Sequence, residues 1–129
     1  MNSLKLKTII KNIFINHRLS KKHATICAEA LINAELVGAP SHGLSRLKMY
    51  CDRINHKIIN PKPKIKIKKI SQSISHIDAN NSIGFVAADL AVKTAIINAK
   101  KTGIGLVAVK NSGHYGLSGY YAEQAVKKN

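Results

Sequence analysis

Two histidines stand in short settings that could do acid–base chemistry. One is Ser41-His42-Gly43, with Arg46 shortly after, and the other is Asn111-Ser112-Gly113-His114-Tyr115-Gly116. An imidazole exchanges a proton near neutral pH, so each is a candidate donor or acceptor. If His42 lies just inside a helix, Arg46 at i+4 follows one turn later on the same face. A guanidinium holds a carboxylate through two parallel hydrogen bonds and would fix a neighbouring carbonyl against the imidazole. Ser41 either caps that helix or reaches the ligand. In the second setting Gly113, Gly116 and Gly119 flank His114 and let a ligand approach the backbone closely. On spacing alone, a cap, a surface histidine and a solvated arginine explain the first setting at least as well, and a plain glycine turn the second.

The glycines do not make a dinucleotide fingerprint. Their order around His114 is G-x-x-G-x-x-G, whereas Gly103-Ile104-Gly105-Leu106-Val107-Ala108 fits G-x-G-x-x-A but runs into an expected strand instead of joining strand to helix. His17, His23, His56 and His76 lack paired ligand spacing, and Cys27 and Cys51 form no CxxC or Cys/His set, so no metal site is proposed and both thiols are read as free.

The elements that must carry these residues can be read from periodicity and caps. Leu6, Ile9, Ile10 and Ile13 keep helical spacing up to about His17. Ser20 is the expected N-cap of a second helix with the stripe Ala24, Cys27, Leu31 and Ala34, ended by Gly38 and Pro40. From Ser41, the series Leu44, Leu47, Cys51, Ile54, Ile58 predicts a third helix with His42, Arg46 and Arg53 on its opposite face. Asn60-Pro61-Lys62-Pro63 breaks it, and residues 64–68 alternate Lys and Ile as an edge strand with inward isoleucines would. A strand over 73–77 ends at Asp78, Asn80 and Asn81 turn the chain, and an alanine-rich helix runs to Lys101 before Gly103. Residues 104–109 read as a buried strand, and Gly119 opens a last helix. Strand, helix, strand predicts a crossover; if the strands are parallel, Asp78 and the 111–116 loop share the carboxyl edge where α/β sheets bind ligands. The fold class is α/β, one unit over 1–129 with a helical portion over 1–60 and the start of an α/β portion over 61–129.

Charge bears on partners. The chain of 129 residues has 21 Lys+Arg against 6 Asp+Glu, a net charge of +15. A basic nucleic-acid-binding protein is therefore one function class, but the lysines are spread out, only three cations are arginines, and aromatic stacking residues are few. Compositional drift towards Lys, Ile and Asn accounts for the charge more simply. Neither a signal-peptide core nor a membrane span is present in the sequence, so no membrane partner and a cytoplasmic location are expected.

Three ordered segments carry a resemblance. Ala34-Glu35-Leu36-Val37-Gly38-Ala39-Pro40-Ser41-His42-Gly43-Leu44-Ser45-Arg46-Leu47 with Tyr50, then Asp78-Ala79-Asn80-Asn81-Ser82-Ile83-Gly84, then Val109-Lys110-Asn111-Ser112-Gly113-His114-Tyr115-Gly116, together resemble the malate/L-lactate dehydrogenase type 2 family. The resemblance spans almost the whole chain. It implies an NAD- or NADP-dependent oxidoreductase that interconverts a small-molecule 2-hydroxy acid and a 2-oxo acid, and a homodimer when complete. It implies that His42 or His114 is the catalytic proton donor or acceptor, that Ser41 and Arg46 bind substrate, and that His114 and Gly116 lie beside the cofactor. Glu35 stands where Asp is usual in the family, and Ser82 where Gly is frequent. Family members continue well beyond Asn129, so the resemblance also implies an N-terminal part with an incomplete family fold, inactive by itself. An inactive remnant or one subunit of a split enzyme is the alternative reading.

Overall fold

The computed structural model describes residues 2–128. Helices α1 (Ser3–Asn16) and α2 (Lys21–Leu36) come first, followed by two 3-10 turns, Pro40–His42 and Leu44–Arg46, and α3 (Leu47–Asn55). Then come β1 (Lys66–Lys69), β2 (Ile74–Ser82), α4 (Gly84–Thr102), β3 (Leu106–Ser112) and α5 (Ser118–Val126). Strand order is β1-β2-β3, with β1 antiparallel and β3 parallel to β2, so α4 is the crossover between parallel neighbours. No helix among the described residues is long and apolar enough to cross a membrane.

Local chemistry explains most boundaries. Ser20 Oγ accepts the His23 N–H at 3.1 Å and starts α2, whose stripe Ala24, Cys27, Leu31 and Ala34 is buried. Gly38 and Gly103 take left-handed φ of 75° and 81° just past α2 and α4, a conformation a Cβ disfavours. The helices, including α4 through Phe85 and Val86, meet in one core around Phe14, Leu31, Tyr50 and Phe85. Cys27 and Cys51 are both free thiols, and Cys27 lies wholly inside.

Four expectations are corrected. The third helix begins at Leu47, not Ser41, because Gly43 (φ −96°, ψ −135°) breaks the run into two short turns. It stops at Asn55, Lys57 turns left-handed at φ 61°, and Ile58 is 62% exposed. Ile67 is 51% exposed, since no helix covers the inner face of the edge strand. β3 runs on to Ser112 and is largely exposed, with Leu106 at 55%: it is the outermost strand, and α4 shields only part of one face.

β2 also runs past Asp78, where the sequence had suggested a turn. Asn80, Asn81 and Asn111 hold left-handed φ of 51°, 56° and 53°, and the β2–β3 register shifts between Asp78 and Ser82. Asp78 ties this bulge together. Its carboxylate accepts the Asn111 side-chain N–H at 2.9 Å and the Asn80 N–H at 3.1 Å, with Lys110 Nζ at 3.5 Å. These contacts, the Asn111 hydrogen bond foremost, hold the Asp78 carboxyl below its usual range. A depressed folded value stabilises the protein above the ordinary carboxylate pKa of about 4 and is lost as pH falls further. Melting temperatures followed from pH 6 down to pH 2 should therefore fall less steeply for Asp78→Asn than for the parent chain.

Candidate active site

The first histidine setting is built where α2 ends. The Ala39 N–H bonds the Ala34 carbonyl at 2.8 Å, Pro40 opens the first 3-10 turn, and Gly43 joins it to the second. Ser45 Oγ donates to the Pro40 carbonyl at 2.7 Å, and Arg46 Nε donates to the Ser41 carbonyl at 2.8 Å. With Nε engaged, the two terminal nitrogens of the guanidinium have no partner among the described residues, and they form the edge that takes a carboxylate through two hydrogen bonds. His42 and Arg46 thus stand on successive 3-10 turns and not on one α-helical face, which corrects the sequence reading. Ser41 is no helix cap; its Oγ lies 3.1 Å from His42 Nδ1.

The second setting follows β3. A Cβ at Gly84 would overlap the carbonyl oxygens of Gly113 and His114, so the loop rests directly on the first turn of α4. Gly116 turns at φ 81° against the Phe85 ring, which leaves no room for a side chain. This packing brings His114 to α3, where Tyr50 Oη lies 2.7 Å from His114 Nδ1. The Gly116 N–H donates to the same nitrogen at a longer 3.3 Å. The rings of His42 and His114 stack with centroids 5.9 Å apart and planes 24° apart. Both predicted histidines and Arg46 therefore gather around Tyr50. Of the other histidines, His17 and His56 bond carbonyls of their own helices.

Electrostatics assigns different states to the cluster. Partial burial, then the neighbouring His42 and the cations Arg46 and Arg53, hold the His114 imidazole below its usual range, which favours a neutral ring near pH 7. Burial pushes the Tyr50 phenol far up, so it keeps its proton. A phenol can donate to Nδ1 or accept from it, so it can accompany either ring state. The sequence reading missed Tyr50 as a site residue, although it sits four residues after Arg46. It also missed that Glu35 Oε1 accepts the Leu44 N–H at 2.6 Å.

A cleft of about 510 Å³ opens beside the His114 loop, walled by Ala87, Ala91, Val92, Val109, Gly113 and Tyr121. Apolar walls, a glycine without a Cβ and a histidine loop at the border suit a flat ring, so these residues fit the nicotinamide end of NAD or NADP. A second cleft of about 660 Å³, between the ends of α1 and α3, contains neither His42 nor His114.

Comparison with known proteins gives concordant results. A family model described as malate/L-lactate dehydrogenase matches residues 1–129. Malate dehydrogenase of Pyrococcus abyssi is 46% identical over 108 residues, covering 84% of this chain and 30% of that protein. L-sulfolactate dehydrogenase of Methanocaldococcus jannaschii is 36% identical over 123 residues, covering 95% and 36%. Among solved structures, malate dehydrogenase from Pyrococcus horikoshii OT3 superposes with a TM-score of 0.96 at 37% identity, over 99% of this chain and 37% of that one. The chain spans about a third of the length of the relatives it matches.

Proposed function

Since the chain belongs to the malate/L-lactate dehydrogenase family, we propose that its histidine pair serves the interconversion of a 2-hydroxy acid and a 2-oxo acid, with NAD or NADP as cofactor. The observation that carries this reading is the convergence of His114, Tyr50, His42 and Arg46, drawn from separate elements, with Tyr50 and His114 lying 64 positions apart. NAD or NADP, when bound, would supply hydride-transfer chemistry at the hydroxyl-bearing carbon, and His114 with Gly116 would lie beside its nicotinamide end.

The residues divide the remaining work. Arg46 binds the substrate carboxylate through its terminal nitrogens, with Ser41 beside it. That fixes the hydroxyl or carbonyl at C2 between the two imidazoles. In oxidation a neutral His114 takes the hydroxyl proton on Nε2; in that tautomer Nδ1 carries the ring proton and donates it to Tyr50 Oη, and the longer Gly116 N–H bond to Nδ1 is given up. In reduction the charged ring gives that proton to the carbonyl oxygen. His42, held by Ser41 at 3.1 Å, is the second hydrogen-bonding group at the reacting oxygen. The complete enzyme is proposed to be a dimer, a property that light scattering can test.

Two measurements address this reading. Oxidation of NADH or NADPH with a 2-oxo acid should depend on both histidines; activity untouched by His42→Ala and His114→Ala alike would remove the site assignment. Arg46→Lys keeps the charge and loses the fork, so KM for the oxo acid should rise by about tenfold or more with a smaller change in kcat.

A further inference from the structure

We propose that Glu35 is a positioning residue for this site, a role that rests on the functional reading above. Its carboxylate grips the joint between the two 3-10 turns and sets where Ser41, His42 and Arg46 stand relative to His114 on the body of the protein. Each turn has only three residues and neither has a side-chain cap. The bonds from Ser45 to Pro40 and from Arg46 to Ser41 tie the turns to each other, not to the body of the protein. Among the described residues, Glu35 alone reaches this segment from outside with a side-chain hydrogen bond, its Oε1 accepting the Leu44 N–H at 2.6 Å. That N–H opens the second turn and has no carbonyl partner within it. A carboxylate is a strong acceptor there, with roughly twice the strength of a neutral one.

Gly43 supplies an independent sign of the same fit. A Cβ on Gly43 would overlap the Glu35 carboxylate, so the turn leaves room for that group to lie across it. Glu35 stands in the last turn of α2, next to the fully buried Ala34, so the grip is anchored in the core. The joint in turn carries Arg46, whose N–H bonds the Gly43 carbonyl at 3.0 Å. Loss of the grip would leave both turns formed and tied to each other, but would free the pair to move against α2 and the His114 loop. The substrate carboxylate on Arg46 and the reacting oxygen would then no longer be aligned with His114 at the same time.

The test uses the 129-residue chain without ligand, followed by nuclear magnetic resonance as Glu35→Ala, Glu35→Gln and Gly43→Ala. In Glu35→Ala the Leu44 amide should exchange about tenfold faster or more. The His42 ring resonances should shift, and cross-relaxation between the His42 and His114 rings should weaken. Glu35→Gln, which keeps an acceptor, should restore most of this. Gly43→Ala should reproduce the alanine effect with Glu35 intact, which covers the case in which Glu35→Ala fails to fold. Unchanged His42 and His114 rings in Gly43→Ala and Glu35→Ala, or no rescue by glutamine, would overturn the proposal. Oxamate, a stable 2-oxo acid analogue, is then titrated into the parent chain and Glu35→Ala. Weaker binding to the variant supports the role; ring shifts without oxamate binding to the parent would contradict the functional reading and leave the grip standing.

Discussion

In the complete enzyme, His114→Ala is expected to lower 2-oxo acid-dependent turnover by about 10²–10⁴-fold, the range associated with loss of a positioned acid or base. The fold should survive, because the side chain is exposed and bonds only the Tyr50 hydroxyl and the Gly116 N–H. The pH profile carries the sharper signature. His114 is held below its ordinary pKa of 6.5 by burial, by the neighbouring His42 and by the cations Arg46 and Arg53. Oxidation of the hydroxy acid needs the neutral ring, so kcat/KM in that direction should rise with pH and level off before the usual imidazole range is passed. That limb should vanish in His114→Ala. Tyr50→Phe should keep a limb of smaller amplitude, since the ring stays and loses its hydrogen-bond partner.

Phe85→Ala is expected to cost about 3–5 kcal/mol of stability, measured by urea denaturation, because the ring is wholly buried and its removal leaves a cavity. The loss should reach the site. Phe85 packs on Tyr50 with centroids 4.8 Å apart and lies against Gly116, so it holds both the phenol and the far end of the His114 loop. Ile67→Ala is the contrast: Ile67 is half exposed on the edge strand, and its loss should cost no more than about 0.5 kcal/mol.

Caps and breakers were legible in the sequence because their chemistry is local. Ser20 needs only the N–H three residues on, and Gly38 and Gly103 only their own φ. The start of the third helix was not legible in the same way. A step of three, from Leu44 to Leu47, suits a 3-10 turn as well as an α-helix, and nothing in the apolar spacing marks the break at Gly43. β3 shows another limit: a continuous apolar run marks a strand, but says nothing of how many neighbours cover it, and here one edge and much of its surface are bare. For the candidate site, residue type and the family resemblance singled out His42, Arg46 and His114. Tyr50 as the link between them depends on a contact across 64 positions, made only when Gly84 lets the loop settle on α4.

The most direct test of the central claim uses the six histidines of this chain as reporters. Oxamate is titrated into the 129-residue protein, with NADH present in a parallel sample, while the ring resonances of every histidine are followed. His42 and His114 should shift together and saturably, His17, His23, His56 and His76 should stay in place, and Arg46→Ala should abolish the response. Saturable shifts confined to the other four histidines, or shifts of His42 and His114 that persist in Arg46→Ala, would contradict the claim.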